Sequence, residues 1–69
     1  MEAVKFTLAA ARVNAGLSQK EAAEKLEISN KTLCKWENYE SYPGANMIPK
    51  ICDLYGIPYD QICFTHKSA

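Results

Sequence analysis

Leu17-Ser18-Gln19-Lys20-Glu21-Ala22-Ala23-Glu24-Lys25-Leu26-Glu27-Ile28-Ser29-Asn30-Lys31-Thr32-Leu33-Cys34-Lys35-Trp36-Glu37-Asn38 is the stretch whose reading decides the fold. Ser18 followed three residues later by Glu21 has the form of a capping box, in which hydroxyl and carboxylate satisfy each other's backbone N–H. It starts a short helix over residues 19–26, with Ala22, Ala23 and Leu26 inward. Ser29 is a second N-cap, only three residues after Leu26, and opens a helix over 30–38 with Leu33 and Trp36 as its buried stripe. Two-turn helices do not survive alone in water, so both must be held by packing.

Outward from this pair, the spacing predicts three more helices. Val4, Leu8, Ala11 and Ala15 follow one helix face over residues 3–15, and Gly16 ends it. Ile48, Ile51, Cys52 and Tyr55 give the face of a helix over 45–55, with Pro49 early enough to tighten its first turn without a break. Gly56 closes that helix, and Pro58 opens a short fifth one over 59–64 with Ile62 inward. Residues 65–69 read as a frayed tail beyond a core spanning about 3–64. The expected architecture is a single all-α domain of five helices across residues 1–69.

Composition bounds the function. A 69-residue chain with 48% hydrophobic residues supports one small core and buries only about 60% of the surface it exposes unfolded. It leaves little room for a nucleotide-binding sheet or substrate pocket. The single histidine, His66, lies in the tail, and no nucleophile is matched to a base, so an enzyme is not expected. No cofactor is implied. Cys34, Cys52 and Cys63 are an odd number without a CxxC pair, which fits reduced cytoplasmic thiols. Cys63 and His66 are three apart, but no second close pair supports a metal site. No apolar run approaches the roughly 20 residues of a membrane span, and the start lacks the order of a secretory signal. Eight basic residues balance eight acidic ones, which weighs against a protein that coats nucleic acid by bulk charge alone.

Two short helices joined by a three-residue turn, the first beginning Gln-x-x-x-Ala, outline a helix-turn-helix. Ala23 supplies the small side chain needed where the helices cross, and Leu33 and Trp36 anchor the second helix. Asn30, Lys31 and Lys35 lie on the opposite, polar side, where side chains can reach base edges in a major groove. The run Leu8-x-x-Ala11-Arg12-x-x-x-Gly16-Leu17-Ser18-Gln19-x-x-Ala22-Ala23, continued by Ile28-Ser29-x-x-Thr32-Leu33-x-x-Trp36-Glu37-Asn38, resembles the Cro/repressor-type (lambda-repressor-like, Xre-like) helix-turn-helix family. The similarity continues through Pro43, Ile48, Lys50-Ile51, Asp53, Gly56-Ile57 and Asp60-Gln61-Ile62.

The resemblance implies a five-helix DNA-binding domain whose third helix enters the major groove of double-stranded DNA, in a transcriptional regulator of bacterial or phage type. By position it puts Asn30, Lys31 and Lys35 against bases, and Gln19, Thr32 and Asn38 against the DNA backbone. Ser29, at a helix N-terminus, and Tyr42, in the following loop, join the backbone group; Tyr39 could donate to a phosphate as well, and both tyrosines read equally well as solvated or half-packed loop aromatics. Arg12 and Glu37 resemble the pair that ties the first helix to the end of the third, a strut and not a DNA contact. Paired copies on a pseudo-palindromic operator are implied, with Ile57, Tyr59, Ile62 and Phe64 as the candidate homodimer surface, in solution or only on DNA.

Two departures from the family pattern stand out. Glu27 replaces a glycine that the turn often carries, at a strain of roughly 1 kcal/mol. Tyr39-Glu40 replaces the glycine and basic residue that often follow Glu-Asn, and Glu40 puts a negative charge where a phosphate would approach. The alternative is therefore a protein-interaction module on the same fold, antitoxin-like or antirepressor-like, with weak DNA binding.

Overall fold

Thr7 decides where the first helix begins. The computed structural model describes residues 5–64, and there Thr7 is extended (ψ 163°), its hydroxyl accepting the N–H of Ala10 at 3.0 Å. Helix α1 therefore runs Leu8–Asn14, not 3–15, because Thr7 caps its first turn and the backbone of Phe6–Thr7 is extended in a strand. Val4, the tail over 65–69 and His66 lie outside the described residues. Ahead of α1, Phe6–Thr7 forms a short strand, β1.

Helix α2 spans Gln19–Leu26 and carries both bonds of the capping box: Glu21 N–H to Ser18 Oγ at 3.0 Å, and Ser18 N–H to Glu21 Oε1 at 2.9 Å. Helix α3 spans Asn30–Glu37 behind its Ser29 cap, with Asn38 just past its end. Helix α4 runs Ile48–Tyr55, three residues shorter at its start than the apolar spacing suggests. A helix from Ala45 would press the Pro49 ring onto the Ala45 carbonyl. Residues 45–47 form a turn instead, closed by the Met47 N–H on the Gly44 carbonyl at 2.9 Å.

The expected fifth helix is absent. Tyr59–Gln61 makes one 3₁₀ turn, and Ile62–Cys63 then forms a strand, β2. β2 pairs in parallel with β1, in the register Phe6 to Ile62 and Thr7 to Cys63. Ile62 and Phe64 both point inward, the period of two that a strand gives and a helix does not. The fold among the described residues is thus four α-helices closed by a two-stranded parallel pair.

Leu8, Leu33 and Ile51 are fully buried at the centre of the core, and Ala11, Ala22, Ala23 and Trp36 surround them. Each buried Leu or Ile contributes on the order of 2 kcal/mol of hydrophobic stabilisation. Ala23, expected where α2 and α3 cross, is buried. Ile57, Ile62 and Phe64 belong to this same core, which corrects their reading as a surface for a second copy. They are apolar because they pack inside the chain. Tyr59 alone of that set is outside, 62% exposed, with its ring stacked on Phe64. No helix among the described residues is long and apolar enough to cross a membrane.

Candidate nucleic-acid interface

The exposed side of α3 presents Asn30, Lys31 and Lys35 to solvent, the two lysines one turn apart. Opposite them, Leu33 and Trp36 are buried, so the helix cannot roll without exposing its anchors. At its N-terminus, Ser29 Oγ accepts the Thr32 N–H at 3.0 Å and donates to Thr32 Oγ1 at 2.9 Å. The Ser29 hydroxyl hydrogen is thereby committed, while Thr32 keeps its own hydrogen to donate. At the other end, the Asn38 amide donates to Cys34 Sγ at 3.4 Å. Tyr42 is exposed, and Glu40 is exposed beside the last turn of the helix.

Behind this face runs a chain of side-chain bonds that joins three helices. Arg12 of α1 donates from Nε to Glu37 Oε2 at 2.7 Å and from Nη2 to Oε1 at 3.3 Å. Its third donor, Nη1, bonds the Leu17 carbonyl at 2.9 Å. Gln19, the first residue of α2, donates from Nε2 to Glu37 Oε1 at 3.1 Å. Its Oε1 accepts from Asn30 Nδ2 at 3.2 Å. The paired side chains are only 14% and 7% exposed, so both charges depend on each other and not on water. The bond to Glu37 raises the Arg12 pKa beyond its ordinary value, against the opposing effect of burial.

The candidates thus gather around α3 and its caps, joined by Gln19 at the start of α2 through its bond with Asn30, with Tyr42 standing apart in the loop. Two features escape a reading of residue types. Gln19 bonds Glu37 as well as Asn30, and sequence spacing carries no sign of a bond across 18 positions. Tyr39 is half-packed, one of the two readings of it, but its hydroxyl also donates to the Cys63 carbonyl of β2 at 3.0 Å, a bond across 24 positions that the sequence did not announce. Its backbone is also left-handed, at φ 60°. The glycine replaced at this position was the one available signal. No group of three or more His, Cys, Asp or Glu among the described residues is placed to hold a metal ion.

A family model described as Helix-turn-helix matches residues 8–62. Among curated proteins, the chain is similar to the HTH-type transcriptional regulator ImmR of Bacillus subtilis (strain 168), at 40% identity over 52 residues. The match covers 75% of this chain and 41% of that regulator, so the chain spans less than half of its relative's length. No solved structure gives a significant match.

Proposed function

Because this chain belongs to the helix-turn-helix family of Cro/repressor type, we propose that it is the sequence-specific, double-stranded-DNA-binding domain of a transcriptional regulator, a repressor of bacterial or phage kind. The observation that carries this reading is the outer face of α3, polar and exposed at Asn30, Lys31 and Lys35, on a helix locked from behind. α3 enters the major groove, where Asn30, Lys31 and Lys35 meet base edges. Gln19, Ser29, Thr32, Asn38 and Tyr42 set its depth on the phosphates. The activity is recognition, not catalysis.

Two copies bind a pseudo-palindromic site about one helical turn apart. Ile57, Ile62 and Phe64 are buried inside each copy, and Tyr59 is the large exposed hydrophobic side chain of that set among the described residues.

Exposed Glu40 favours a second reading, a protein-interaction module. Between Gln19 and Glu40 the chain carries Lys20, Lys25, Lys31 and Lys35 against Glu21, Glu24, Glu27, Glu37 and Glu40. Attraction to phosphate depends on unopposed cations. Site selection from a random duplex pool at two salt concentrations separates the readings. The regulator enriches a sequence and weakens with salt, whereas the module does neither. On the enriched site, Lys35→Ala is expected to cost about 1–3 kcal/mol and to relax preference at one base pair. Asn38→Ala should weaken all sites alike. Wild-type binding by both variants would show that this face of α3 does not meet DNA.

A further inference from the structure

The chain of bonds behind α3 has a direction, and its inner end dictates that direction. A guanidinium has only donors, and an ionised carboxylate has only acceptors. Glu37 therefore accepts from everything around it, and Gln19 must turn its NH₂ toward Glu37 Oε1 (3.1 Å). The Gln19 oxygen is left on the other side, and Asn30 must turn its own NH₂ to meet it (3.2 Å). The two ends of a carboxamide are alike in shape, so nothing within Asn30 prefers this orientation. It is imposed by the Glu37 carboxylate, two links away and held in place by Arg12. What Asn30 then presents outward is an acceptor, Oδ1, with one amide hydrogen left over.

Resting on the reading of α3 as the groove-facing helix, we infer that the Arg12–Glu37 ion pair determines sequence specificity by setting which edge of Asn30 meets the base. An outward acceptor selects a base that carries an exocyclic amine in the major groove. Adenine fits best, its N6 amine donating to Oδ1 and its N7 accepting the remaining amide hydrogen; cytosine offers the amine alone. Arg12 and Glu37 touch no base. They are positioning residues, and Gln19 relays their polarity.

Glu37→Gln reverses the relay without changing its shape. The short Arg12 Nε contact, 2.7 Å, keeps the acceptor, so the new amide oxygen goes there and its NH₂ faces Gln19, giving up the longer 3.3 Å bond from Arg12 Nη2. Gln19 then turns its oxygen inward, Asn30 follows, and Asn30 NH₂ points outward, suited to guanine O6 and N7 or thymine O4. Gln19→Ala cuts the relay and leaves Asn30 able to present either edge.

The experiment is site selection from a random duplex pool with wild type, Glu37→Gln and Gln19→Ala, with folding followed by circular dichroism. Wild type should enrich adenine or cytosine at the Asn30 position, and Glu37→Gln should enrich guanine or thymine there. Gln19→Ala should lose discrimination at that position on the order of tenfold while keeping its preferences elsewhere. Lost stability alone would lower all affinities and change no base. An enriched wild-type site whose base is unchanged in both variants overturns the inference; if Glu37→Gln does not fold, unchanged discrimination in Gln19→Ala does so. A wild type that enriches no sequence removes the DNA reading and this inference together. NMR of the free protein tells those failures apart: nuclear Overhauser contacts should place the Gln19 NH₂ beside Glu37 and Arg12 in wild type, and beside Asn30 in Glu37→Gln.

Discussion

Tyr55 shows how much one atom can matter in a chain this small. Its hydroxyl is buried without a hydrogen-bond partner among the described residues. Burial pushes its pKa up to about 12; Glu37 adds to the shift and Arg12 opposes it. The folded phenol therefore stays neutral after the unfolded one, at its ordinary 10.0, has begun to ionise. Its contribution to stability is present in full below pH 10.0 and is lost as pH rises to about 12. Tyr55→Phe is expected to leave stability at pH 7 unchanged or raise it by about 1 kcal/mol, since an unpaired buried hydroxyl is removed. The variant should also lose less stability between pH 7 and pH 11 in urea titrations. Tyr39, which burial also raises, keeps a share of the alkaline loss. A drop of more than about 1 kcal/mol at pH 7 would show that the hydroxyl is bonded after all. Among single residues, the sequence made Arg12, Glu37 and the Ser18 cap legible, because each has a role tied to its position. The second bond of Gln19 was not legible, because it depends on where two helices meet.

All four helices end on a residue with a left-handed backbone, but only two of those residues are glycine. Gly16 and Gly56 close α1 and α4, while Glu27 and Tyr39 do the same for α2 and α3 at φ 61° and 60°. After α1, α2 and α3 the same crossed pair of bonds recurs, such as Ile28 N–H to the Ala23 carbonyl and Glu27 N–H to the Glu24 carbonyl. Glu27 is exposed, so Glu27→Gly should relieve the left-handed strain and stabilise by up to about 1 kcal/mol, net of the glycine's entropy. Tyr39→Gly has the same backbone to relieve but gives up a half-buried ring and the bond to Cys63. It should destabilise by about 1–3 kcal/mol. Chemical denaturation of both variants checks the contrast, and shifts of the same sign would mean that backbone strain alone governs these ends. The elements differed in how openly they were written. α2 could be read to the residue, since its start and stop are chemical signals. The start of α1 was obscured by Val4, which extends the apolar spacing past the Thr7 cap. β2 could not be read at all: two residues are too few to show alternation, and the partner strand sits at the opposite end of the chain.

For the molecule as a whole, Arg12 is the point where separate elements are fastened together. It bonds Glu37 of α3 and the Leu17 carbonyl before α2, and through Glu37 it reaches Gln19. Arg12→Met should cost about 3–5 kcal/mol, because it leaves Glu37 charged, almost buried and without its partner. A small domain has only about 5–15 kcal/mol in all, so thermal denaturation should show a large fall in melting temperature. A variant as stable as wild type would remove the strut role. The zero net charge, which at first weighs against DNA, is better understood once the charges are placed. One of each sign is spent on this strut, and the lysines of α3 stand clear of it. The strand pair adds an order to how the molecule comes apart. α2 and α3 are neighbours along the chain and meet at small loop-closure cost, whereas β1 and β2 close nearly the whole described chain into one loop. Short and distant in sequence, that clasp carries the larger loop-closure cost and is expected to open before the α2–α3 contact. The two ends should then part while α2 and α3 still hold each other, an order that amide hydrogen exchange, faster at Phe6–Thr7 and Ile62–Cys63 than in α2 and α3, would report.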